Sequence, residues 1–199
     1  MEISHMISDG ILTLAGLYVF FKYLLKLNLT HTVLWESFVL SVTCAALFGC
    51  IRFAGYKQAE NASVFFQHMA ITVGAVGIVA ASWALVTNCT LSKTICYVLL
   101  TAGFLVFAIS DGFNIPVILK FTPLISMPLV ALAGIYGLFK GKTKAGAWLL
   151  GGVACMALAS FSGSLIKSPS VNIDIYHYLL DLGLVCFGLS TEHHLKSRY

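Results

Sequence analysis

His177 and Asp181 stand four residues apart in His177-Tyr-Leu-Leu-Asp181, a spacing that on a helix puts an imidazole and a carboxyl on one face, one turn apart. Such a pair can hold one ion between them. His68, Asp9 and Asp111 are the other titratable groups set a short way inside strongly apolar stretches. If these groups converge, two imidazoles and one or two carboxylates form an N/O donor set suited to zinc or another divalent metal with a position left open for water. The expected metal ligands are His68, His177 and Asp181. The chemistry would be metal-assisted hydrolysis: the ion acidifies its water and polarises a carbonyl, Asp9 or Asp111 is the general base, and Arg52 or Ser110 meets the developing oxyanion.

Each of these residues also has a structural reading. Asp9 and Asp111 can cap or end helices, and Arg52 can pair with either or snorkel toward headgroups. His68 and His177 can be hydrogen-bonded bundle residues, and Ser160, Ser162 and Ser164 can bond to their own backbone. Convergence depends on the elements that carry them.

Those elements are read from composition. Of 199 residues, 59% are apolar and 10% charged, too little polar surface to cover a water-soluble globule. Runs such as Ala70–Ala81 and Val98–Ala108 are continuously apolar, without the alternation of a membrane β-barrel. The expected fold is therefore an all-α, polytopic bundle of seven transmembrane helices forming one domain over residues 1–199, with six spans as the fallback. The spans are expected at Ile7–Leu27, Val33–Phe53, Val64–Val86, Thr94–Ile109, Val117–Phe139, Gly146–Ile166 and Ile175–Leu189. Polar and Gly/Pro-bearing breaks separate them, among them Asn28-Leu-Thr-His31 and Lys167-Ser-Pro-Ser-Val-Asn172. Small residues such as Gly134, Gly146 and Gly152 would let helix backbones approach in lipid.

In an up-and-down bundle, the starts of odd spans and the ends of even spans share one side. Ser8, Asp9, Arg52, His68, Ser110, Asp111, His177 and Asp181 all fall on that side. Glu36, His31 and the tail Glu192-His193-His194 fall on the other and read as interface and solvated groups. Four Lys or Arg lie on the first side and eight on the second, which predicts a non-cytoplasmic N-terminus and a cytoplasmic C-terminus. Met1–Gly10 holds no basic residue, so the first helix is expected to be retained rather than cleaved as a signal peptide. The net charge of +4 sits in loops and tail, pointing to membrane lipids as partners and not to nucleic acid. The six cysteines show no CxxC spacing and read as packing residues.

Seven spans with polar residues at the end of the second, the start of the third and the start of the seventh resemble the superfamily of alkaline ceramidases and progestin/adiponectin receptors. In that family a Ser and a His on the second helix, an Asp near the third and an H-x-x-x-H pair on the seventh build a zinc site that hydrolyses lipid amides or esters. The resemblance would make His177-x-x-x-Asp181 the seventh-helix pair, put the second-helix position near Arg52 in Phe48-Gly-Cys-Ile-Arg52, and leave His68 on the third helix. Two of the three histidines are thus not in the family's places. The resemblance implies a zinc-dependent lipid hydrolase. Intramembrane His and Asp also suit a small transporter, proton-coupled carrier or sensor, and a non-catalytic assembly subunit would need none of them.

Overall fold

A computed structural model describes residues 2–113 and 115–196, without the side chains of Glu2 or of residues 193–196. The tail groups His193, His194, Lys196 and Arg198 therefore lie outside what is described. The described chain is helical, with no strand: α1 (Glu2–Lys22), α2 (Leu29–Phe53), α3 (Ala59–Met69), α4 (Ala75–Thr87), α5 (Lys93–Gly112), α6 (Pro116–Phe139), α7 (Thr143–Leu165) and α8 (Pro169–Lys196). A five-residue π-helical segment, Ala70–Gly74, joins α3 to α4 into one continuous rod. Seven helices, that rod among them, are long and apolar enough to cross a membrane.

Local sequence explains the helix boundaries. Asn28 and Ser92 accept hydrogen bonds from the amides of His31 and Ile95, capping α2 and α5. Pro116 and Pro169 occupy the first positions of α6 and α8, where a missing N–H costs nothing. Asn88, in the left-handed conformation at φ 55°, closes α4. The short fourth segment and the proline-rich fifth are both complete helices, α5 and α6. The seventh begins six residues before the expected Ile175, because Pro169–Asp174 reads as a polar loop and is in fact the first turn and a half of α8. His31, expected at an interface, is 2% exposed and lies 3.2 Å from the Cys89 carbonyl.

The helices close into a ring. α1 packs on α2, α2 on the third rod, α4 on α6, α6 on α7, and α7 on α8, which returns to α1. α5 stands outside, packed chiefly against the π segment and α4. α1 and α8 run parallel: Asp174 meets Ser4, His5 and Ser8 near both starts, while Gly188 faces Val19 and Tyr23 near both ends. A Cβ at Gly146 would press on the Gly134 carbonyl, the close α6–α7 approach that small residues permit. At the centre, Phe187 lies against Trp35 and, edge-on, against Phe38, each with centroids 6.1 Å apart.

Candidate functional site

The first turns of α1 and α8 form a polar clamp. Asp174, in the stretch read as loop, accepts from Ser4 Oγ, from Ser8 Oγ at 2.9 Å and from His5 Nδ1 at 2.9 Å. Ser8 is fully buried, and its single O–H proton has two oxygen acceptors, the Asp174 carboxylate at 2.9 Å and the His5 carbonyl at 3.1 Å. Ser8 Oγ therefore meets His177 Nδ1, 3.0 Å away, as an acceptor. Asp9 Oδ1, 3.4 Å from the same nitrogen, is a second acceptor there. With oxygens of Ser8 and Asp9 as the neighbours of Nδ1, the tautomer that suits the site carries its proton on Nδ1 and leaves the Nε2 lone pair for the cavity. His177 lines a cavity, and Nε2 is the ring atom it can offer a ligand.

That cavity, about 440 Å³, lies inside the ring and is lined by every span except α5. Its polar end holds Asp9, Arg52, Gln67, Ser160, Asn172 and His177. Its other end is apolar, with Leu12, Phe38, Val42, Ala75 and Met127. Gly49 makes room for the Asp9 carboxyl, since a Cβ there would come within 2.9 Å of Asp9 Cγ. Arg52 lies with its guanidinium 4.3 Å over the Phe53 ring and Nη1 3.5 Å from Glu60. Its Nε is buried without a partner, as are Asn172 Oδ1 and Ser126 Oγ, and all three residues line the cavity. Buried polar atoms are ordinarily satisfied, so three orphans around one cavity mark a place for a polar ligand or water.

No family model, curated protein or solved structure matches this chain. Its reading rests on its own geometry.

The expected site residues divide. Asp9, Arg52 and His177 share the polar end of the cavity. His68 and Asp111 pair with each other, Nδ1 to Oδ1 at 3.0 Å, joining α3 to α5 at a more exposed position. Ser110 donates to the Phe107 carbonyl of its own helix. Asp181 is 8% exposed, and neither of its oxygens has a hydrogen-bond partner. Among the described residues no three His, Cys, Asp or Glu side chains are grouped so as to hold a metal ion, so the donors do not fit a zinc centre made by His68, His177 and Asp181. His5, Asp174, Asn172 and Gln67 were not among the expected residues. The signal for Asp174 was its three-residue spacing to His177, the helical companion of the i, i+4 pair.

Proposed function

We propose that the chain is a multi-pass membrane hydrolase of a lipid amide or ester, working at the polar end of the bundle cavity. The observation that carries this reading is the His177 ring, set with Nδ1 against Ser8 and Asp9 and lining the polar end of the cavity beside Arg52. In this reading His177 Nε2 takes a proton from a water in the cavity mouth as the water oxygen adds to the substrate carbonyl carbon. Asp9 fixes the ring and offsets the charge of the imidazolium, and Arg52 meets the oxyanion. Collapse breaks the C–N or C–O bond, and Nε2 returns the proton to the departing amine or alkoxide. No step is routed through an ion. Ser8 is not the nucleophile, since it meets the same nitrogen as Asp9 and is buried away from the cavity.

The seven apolar helices support membrane insertion, and the excess of Lys and Arg on the C-terminal side supports a non-cytoplasmic N-terminus and site. The test is turnover of lipid amides and esters by the purified chain. His177→Ala and Asp9→Asn are expected to lower it by about 10²–10⁴-fold, the usual worth of a positioned general base. Unchanged turnover in both variants would sink the proposal. Metal analysis of the same preparations is a second arm: stoichiometric zinc lost in His177→Ala would put a metal centre in place of the metal-free base.

One observation favours a second reading. A carboxyl buried without partners midway along a candidate span, as Asp181 is, suits a proton-coupled carrier. Proton-driven solute flux in proteoliposomes that disappears in Asp181→Asn would establish it over the hydrolase.

A further inference from the structure

The cavity has a direction and an end. Along α2 its lining runs from Arg52 through Gly49, Ala46, Ala45 and Val42 to Phe38. Phe38 is fourteen residues from Arg52, about 21 Å along the helix axis. The middle of that wall is built from Gly and Ala, which leave open the volume that larger side chains would fill. The floor is braced. Phe38 meets Phe187 edge-on at 83°, and its ring and backbone lie so close to Gly74 that a Cβ there would stand 3.2 Å from Cδ2 and 2.9 Å from Cα. It cannot swing aside without disturbing both neighbours.

The volume argues for one chain. At about 440 Å³ the space is in the lower part of the range for small-molecule sites, too small for both tails of a two-chain lipid. The wall also has a seam. α4 and the π segment pack on α6, but α3 makes hardly any contact with it; Gln67 on one side and Pro123 on the other line the cavity there, and α5 borders the seam by touching both helices.

We propose that the cavity seats a single acyl chain drawn from the bilayer, with an oxygen-bearing head at Arg52 and Asn172 and with Phe38 setting the longest chain that fits. The assignment rests on the lipid reading of the site and adds a length rule to it. Arg52 Nε–H donates to a carboxyl or carbonyl oxygen, and Asn172 Oδ1 accepts from an O–H or N–H of the head, such as a protonated carboxyl. A tail longer than the cavity must displace well-packed aromatic rings, an overpacking penalty worth about tenfold or more in retention.

The experiment offers the full chain, in lipid nanodiscs, an equimolar series of saturated fatty acids and quantifies the retained acids by mass spectrometry. Retention is expected to fall about tenfold or more beyond one length. Phe38→Ala is expected to move that limit to longer acids and Ala46→Leu to shorter ones. Arg52→Gln is expected to lower retention of all lengths while leaving the limit in place. A flat profile, or a limit that neither wall variant moves, overturns the proposal; should Phe38→Ala fail to fold, the Ala46→Leu arm decides. A length limit without hydrolysis of any lipid amide or ester removes the hydrolase reading and leaves the ruler, while hydrolysis with a flat profile does the opposite.

Discussion

Asp9 is buried and Asp174 half-buried, and the two acids do different work. Asp174 receives three donors from α1 and does not line the cavity, so it ties two helices together. Asp9 lines the cavity and touches His177. Asp174→Asn is therefore expected to destabilise the bundle by about 0.5–1.5 kcal/mol, the net scale of a hydrogen bond at a half-buried position. Its lowered thermal midpoint in detergent should come with little loss of turnover per folded molecule. Asp9→Asn should show the reverse, near-wild-type melting and poor turnover. The sequence carried the chemistry of Asp9, Arg52 and His177 because charged groups in apolar runs are conspicuous. It could not tell which acid meets which base: His68 and Asp111, forty-three residues apart, pair across two helices, and no local spacing encodes that contact.

The helices themselves were legible almost throughout, since an apolar run long enough to cross a bilayer has few other uses. The errors lie at their polar first turns. α1 and α8 begin earlier than hydropathy suggests because Ser4, His5 and Asp174 look like loop and are helical residues that satisfy one another. The α1–α2 contact is equally invisible to hydropathy. There Gly49 admits the Asp9 carboxyl, and Gly49→Ala is expected to push that carboxyl away from His177. Turnover should fall about tenfold or more, as for a displaced catalytic group. Melting should change far less, which distinguishes misplacement from unfolding. The π segment Ala70–Gly74 was also unpredicted. It places Ala70 and Ile71 on the cavity wall, and π-helical turns are often found at functional sites.

At the scale of the molecule, counting spans by parity placed Asp9, Arg52 and His177 at one end of the bundle, and the contacts among α1, α2 and α8 agree. Lysine placement predicts which side of a membrane that end faces, and a thiol can test the prediction. Cys89 is exposed in the turn after α4, at the opposite end. A membrane-impermeant maleimide is expected to miss it in intact cells and to label it after permeabilisation; labelling of intact cells would invert the orientation. The parallel pairing of α1 with α8 has a consequence for biogenesis. α1 presents Ser4, His5, Ser8 and Asp9 along one stripe, and the partner that satisfies them, α8, is made only after all the helices between them. If the bundle assembles in a bilayer, those groups lack their partners at a cost until α8 is made, and quality control would meet the nascent chain at α1. A chain stopped before α8 would keep most of its hydrophobic helices and still carry this unmet stripe.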